Sequence, residues 1–244
     1  TRSVAPTLEG EDLLATLAPC FEKIEARLEA LNESRDHPTG TVRIVATEYA
    51  IESLLWPKLS PVLKAFPAIN IELMIDYGYT DLASSQCDAG VRYGDQVSDG
   101  MISMRIGPEE RMICVGAPEY FDAQGIPQTP QDLSDHRCIN LRLSNHGALY
   151  AWEFEDDAGN EIRVKVQGQA RFNTLNLVRR AALDGHGLAL IPERLAADHL
   201  ASGALRTCLE DYSPYFPGFH LYYPSRLRPS SAFQVVLDAL RERG

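Results

Sequence analysis

The chain has no cysteine pair in a CxxC spacing, no surplus of positive charge and no apolar run near the ~20 residues that span a bilayer. Each absence removes a class of protein. The five cysteines, Cys20, Cys87, Cys114, Cys138 and Cys208, are odd in number and far apart. That pattern argues for reduced thiols in a reducing, cytoplasmic compartment, and against a disulfide scaffold or a zinc site. The formal net charge is -11, so the clustered Lys and Arg of a phosphate-binding surface are missing. Strong DNA binding by these residues alone is therefore not expected. The opening TRSVAPT lacks Met and lacks the charged-then-apolar layout of a secretory signal.

Catalytic signatures are missing as well. There is no GxSxG elbow, P-loop, HExxH or GxGxxG. Gly185-His186-Gly187 is too short for a dinucleotide loop and reads as a helix C-cap. The histidines, at 37, 136, 146, 186, 199 and 220, have no metal-ligand spacing. His136 and His146 flank a strand end and could face a cleft, although surface histidines are the commoner case. The carboxylates are scattered, and none forms an obvious acid–base pair. The expectation is a non-enzyme without metal or cofactor.

What is present is an ordinary globular composition, 45% hydrophobic and 23% charged over 244 residues. That allows one large domain or two smaller ones. Leu14, Leu17, Phe21, Ile24, Leu28 and Leu31 recur in alternating steps of three and four. This spacing predicts one apolar stripe on a helix from about 8 to 32–35, with charged residues on its outer face. His37-Pro38-Thr39-Gly40 breaks it. A narrow stripe on a separate arm reads as a dimerisation helix; the alternative is packing on its own domain.

After Gly40, short strands alternate with helices, the pattern of a parallel or mixed α/β sheet. Strands are expected at 41–46, 69–76 and 89–93, with a helix over 51–66 that Pro57 and Pro61 should kink. A second unit follows. Its strands are expected at 112–115, 138–141 and 188–191, and its helices at 118–124, 130–135 and 193–201. A hairpin turns at Asp157-Ala158-Gly159-Asn160. A further helix runs to Leu183, with Asn173 as its N-cap. A strand at 221–223 and a helix at 231–241 close the chain. Such a tail often returns to the first unit. Two lobes are therefore expected, 41–114 plus 217–244 and 115–216, with a ligand between them.

Several segments together resemble LysR-type transcription regulators: GTVRIVAT, LLWPKLSPVLKAFPAINIEL, TDLASSQCDAGVRYGDQ, HRCINLRL, AALDGHGLALIPERLA and FPGFHLYYPSRLRPSSAF. The resemblance runs through essentially the whole chain in order. It implies that 1–7 is the end of a winged helix-turn-helix whose remainder lies upstream, and that 8–37 is the linker (dimerisation) helix. The rest is then an α/β pair of Rossmann-like lobes resembling a periplasmic binding protein. The implied partners are a small-molecule effector, a second copy of the chain in a homodimer or homotetramer, and DNA through the upstream part; no membrane is implied.

In an open α/β sheet, ligands meet strand C-termini and helix N-termini. Thr47, Glu48 and Tyr49 follow the first strand; Gly78, Tyr79 and Thr80 follow the second. Arg142, Leu143, Ser144 and Asn145 follow CINL, and Asn173 and Thr174 precede a helix. The resemblance implies that these positions line the effector cleft. Arg142 suits a carboxylate, or else an inter-lobe salt bridge. Thr47, Thr80 and Asn173 read equally as helix caps. Glu48 disfavours a strongly anionic ligand, and Tyr49, Tyr79 and Tyr93 either stack on a ring or pack. Two other readings stay open: a periplasmic solute-binding protein, and a redox-sensing regulator of the same family, which needs two cysteines within reach.

Overall fold

A computed structural model describes residues 7, 13–15, 17–24, 38–77, 82, 86–94, 100–143 and 147–241. The first helix, α1, is seen over 13–15 and 17–24; Leu28 and Leu31 lie outside the described residues. Leu14, Leu17, Phe21 and Ile24 are all exposed, Phe21 by 60%.

Two sheets follow. The first holds β1 (Gly40–Ala46), β2 (Ile69–Ile75), β3 (Ala89–Tyr93), β4 (Met101–Arg105) and β13 (Phe219–Pro224), in the order β2-β1-β3-β13-β4. The first three strands run parallel, and β13 enters antiparallel between β3 and β4. The second holds β5 (Glu110–Gly116), β6 (Cys138–Leu141), β9 (Arg171–Phe172), β10 (Leu188–Pro192), β11 (Arg206–Cys208) and β12 (Tyr215–Phe216). Its order is β11-β5-β10-β6-β9, with β12 also on β5. The strands β7 (Trp152–Glu155) and β8 (Glu161–Val164) form a separate hairpin.

Side-chain alternation explains the layering. In β5, Ile113 and Val115 enter one core and Met112 and Cys114 the other. In β10, Ala189 and Ile191 divide from Leu188 and Leu190 in the same way. The helices α2 (Glu48–Ala50), α3 (Trp56–Ala65) and α7 (Ser231–Leu240) belong with the first sheet, where α7 packs on α3 and β1. With the second sheet lie α4 (Pro118–Gln124), α5 (Leu175–Leu183) and α6 (Glu193–Ala201).

Three expectations need correction. The boundary at 114 falls inside β5, a strand that among the described residues pairs with β10, β11 and β12 and so belongs to the second sheet. The helix after β1 begins at Glu48 and passes through a π turn, Ile51–Leu55, before α3. Pro57 has no N–H to continue the normal ladder, and the wider turn just ahead of it accommodates that loss. The cap of α5 is Thr174, whose Oγ1 accepts from Leu177 N at 3.3 Å; Asn173 is exposed one position too early.

Two short crossings, 106–109 and 217–218, join the sheets. Ile106 N and Gly107 N both donate to Phe219 O, at 2.8 and 3.2 Å. A Cβ on Gly218 would meet Gly107 O at 2.1 Å and Pro108 O at 2.3 Å, so the crossings touch where only glycine fits.

Candidate functional site

The end of β1 delivers Thr47 and Tyr49 to a cleft between the sheets. Thr47 caps α2, its Oγ1 accepting from Ala50 N at 3.2 Å. Tyr49 donates its hydroxyl to the buried Glu110 of β5 at 2.8 Å, and Arg194 lies 4.0 Å from the same carboxylate. Burial, then the charge of Glu110, raises the Tyr49 phenol, so it stays a donor. This bond, and that from Asn176 Nδ2 to Glu52 at 3.1 Å, tie one sheet's elements to the other's.

Beside it lies a cavity of about 310 Å³, at the small end of ligand pockets, roughly 300–1,000 Å³. The first sheet side contributes Thr47, Tyr49, Tyr77, Arg92 and Tyr93; the second contributes Met112, Leu141, Leu143, Leu175, Leu190 and Phe216. The hairpin closes it with Trp152 and the pair Glu153–Arg163, and Tyr150 stands just before β7. Tyr93 stacks on Phe219 with centroids 4.4 Å apart, at the crossing between the sheets.

The polar groups of this wall differ in how far they are already committed. Glu153 accepts from Tyr150 Oη at 2.9 Å and faces Arg163 at 3.5 Å. Arg92 is only 4% exposed; its Nη1 donates to Asp76 O at 2.9 Å, while its Nη2 has no hydrogen-bond partner among the described residues. The buried Tyr77 hydroxyl also lacks a hydrogen-bond partner among the described residues; burial, then Glu48, push it up to about 12 against the opposing pull of the Leu175 and Glu48 backbone. Glu48 Oε2 is buried and unpartnered, but its residue does not line the cavity.

Of the residues expected from sequence, Thr47, Tyr49, Tyr93 and Leu143 line the cavity. Arg142 does not: it is exposed, and its Nη1 donates to Gly147 O. Thr174 caps the helix whose next residue, Leu175, faces the cavity. Gly78, Tyr79, Thr80, Ser144, Asn145 and His146 lie outside the described residues. His136 hydrogen-bonds the Tyr120 hydroxyl at 3.2 Å, away from the cleft. Sequence reasoning passed over Tyr77, Arg92, Trp152 and Phe216. The available signal for Arg92 was a charged residue inside the otherwise apolar strand AGVRY, since a buried polar residue is the informative exception.

A family model of the LysR substrate binding domain matches residues 35–244. The chain belongs to that family. It is 46% identical over 241 residues to a candidate transcriptional regulator of Pseudomonas aeruginosa, covering 99% of this chain and 78% of the relative. It is 41% identical over 244 residues to the HTH-type transcriptional regulator PgrR of Escherichia coli, covering 100% of this chain and 81% of that protein. Its fold matches the full-length AphB virulence activator of Vibrio cholerae with a TM-score of 0.76 and 23% identity, over 98% of this chain and 82% of that one. The chain is thus the effector-binding region of a LysR-type transcription regulator, with the mixed α/β, two-sheet architecture that resembles periplasmic binding proteins.

Two further observations bear on the alternatives. Cys208 sits directly opposite Cys114 across β11 and β5, but both are buried. Burial pushes the Cys114 thiol well up, and Cys138 nearby to about 12. Thiolate is the reactive form, so these protonated, shielded thiols do not favour redox sensing. Among the described residues no His, Cys, Asp or Glu cluster could hold a metal, and no helix is long and apolar enough to cross a membrane.

Proposed function

We propose that a small organic effector binds in the cleft between the two sheets and shifts the angle between two lobes, 38–106 plus 218–241 and 107–217. The observation that supports this most directly is the cavity walled from both sheets. Occupancy changes the equilibrium only if one lobe arrangement binds the effector better. A tenfold preference supplies about 1.4 kcal/mol, enough to retune a nearly balanced regulator. Regulation then passes to DNA through segments other than these residues, whose charge is -11.

The test is a thermal-shift screen of metabolites, including carboxylates, aromatics and amines, on the chain and on Leu143→Trp. Leu143 is a half-buried residue of the cavity wall, so tryptophan there fills the space with little cost to the core. Hits should raise Tm by several degrees in the parent and by less than one degree in the variant. Hits of equal size in both would place the effector elsewhere.

Helix α1 supplies self-association in this reading. Its exposed stripe finds no cover within the chain over the described residues. Burying the six stripe positions against a second helix contributes roughly 1.5–3 kcal/mol each before association costs. The double variant Leu17→Asp/Ile24→Asp is expected to halve the mass seen in light scattering at micromolar concentration. An unchanged mass would assign assembly to another surface, and a homotetramer would require a second interface besides this one.

A further inference from the structure

The wall of the cleft holds a buried cation, Arg92, that makes no ion pair among the described residues. Its Nη1 is spent on a backbone carbonyl, and its Nη2 has no hydrogen-bond partner among the described residues. A buried charge in that condition is costly unless something pairs with it. Folding nevertheless keeps room for it. Gly90 lies two residues before Arg92 on the same face of β3, and a Cβ there would stand 2.4 Å from the Tyr222 ring. The missing side chain lets Tyr222 pack beside the guanidinium, where Asp76 also contributes its field.

The other cationic group of the wall is not available in the same way. Arg163 faces Glu153 and Glu161 and is largely exposed. Glu153 is held by Arg163 and the Tyr150 hydroxyl, and Thr47 is used as a cap. Among the described residues the buried side-chain polar atoms of the wall without a hydrogen-bond partner are Arg92 Nη2 and Tyr77 Oη, and both are donors. The remainder of the wall is apolar or aromatic, with Tyr93, Met112, Trp152, Leu175, Leu190 and Phe216.

Resting on the effector-cleft reading above, we propose that the ligand is a monocarboxylate with an apolar or aromatic body, its carboxylate seated on Arg92 and Tyr77. Glu48 sets the limit to one negative charge. Its Oε2 is buried without a partner among the described residues, and its charge acts on the Tyr77 hydroxyl. A second carboxylate on the ligand would add a like charge to the field in which Tyr77 already sits.

Trp152 reports on the cavity it lines, whereas Trp56 is exposed on α3. Its fluorescence can follow titration with matched pairs: 3-phenylpropanoate and 3-phenylpropanamide, 4-methylpentanoate and its amide, with succinate and glutarate as dicarboxylates. Each acid should bind at least tenfold more tightly than its amide, and the dicarboxylates more weakly than the monocarboxylates. The acid preference should vanish in Arg92→Gln, fall several-fold in Tyr77→Phe and persist in Arg142→Gln. Should Arg92→Gln fail to fold, the parent pairs and Tyr77→Phe still decide. Equal binding of acids and amides, both blocked by Leu143→Trp, overturns the Arg92 assignment and leaves the cleft reading standing. Preference for dicarboxylates, or no binding by any pair at millimolar concentration, also overturns it, while the broad thermal-shift screen judges the cleft separately.

Discussion

Trp152→Ala is expected to lower the unfolding free energy by about 3–5 kcal/mol, the range for deleting a fully buried large aromatic. Trp152 is 1% exposed and packs edge-on against Phe154, centroids 6.5 Å apart. Among the described residues the hairpin β7–β8 pairs with no other strand; Trp152 and Phe154 are its fully buried side chains in the second core with Met112, Leu133 and Leu190, and Ile162 and Val164 are half-buried beside them. An isolated two-stranded hairpin is marginal in water, and loss of this anchor should free it. Urea unfolding should show the lower midpoint, and hydrogen exchange should show fast exchange over 152–164. A loss under 1 kcal/mol would mean that the hairpin is held by something other than this contact.

Gly218→Val is expected to cost on the order of 3 kcal/mol, at the upper end of overpacking effects. The added Cβ would stand 2.1 Å from Gly107 O and 2.3 Å from Pro108 O. Those are backbone atoms of the other crossing and cannot swing aside as a side chain does. Gly107 N and Ile106 N are themselves bonded to Phe219 O, so the two crossings move together or not at all. The variant should unfold at clearly lower urea concentration, and Gly218→Ala should fall between it and the parent. A midpoint equal to the parent's would show that the crossings separate freely. That outcome would remove the rigid pivot about which the lobes are proposed to turn.

Much of this fold is written in local patterns. The alternation of β5 and β10, the strand AGVRY and the return of the C-terminal strand and helix follow from period and order. Short edge strands do not. β9, β11 and β12 hold two or three residues each, too few for a period to register, and only their partners make them strands. The cap of α5 shows a second limit. Asn173 and Thr174 are adjacent and both suitable, and the fold selects Thr174 through the direction in which β9 delivers the chain. The cavity wall was legible where it follows strand ends, as at Thr47 and Tyr49. It was misread at Arg142, whose bend points the side chain to Gly147 O and solvent. Arg92 was passed over for the opposite reason, although a charge inside an apolar strand marked it as unusual. It lies within a strand, and whether a strand arginine is exposed, paired or left facing a cavity depends on neighbours distant in sequence, here Asp76, Tyr77 and Tyr222.

The central claim is that an effector occupies the space between the sheets. A crystal structure of the chain with the compound giving the largest thermal shift tests it most directly. The account predicts ligand density between β1–α2 and β6–α5, in contact with Arg92 and Tyr77 and covered by Trp152, with the two sheets rotated about the crossings at Gly107 and Gly218. Density on any other face, with the cleft filled by its own side chains, would contradict it.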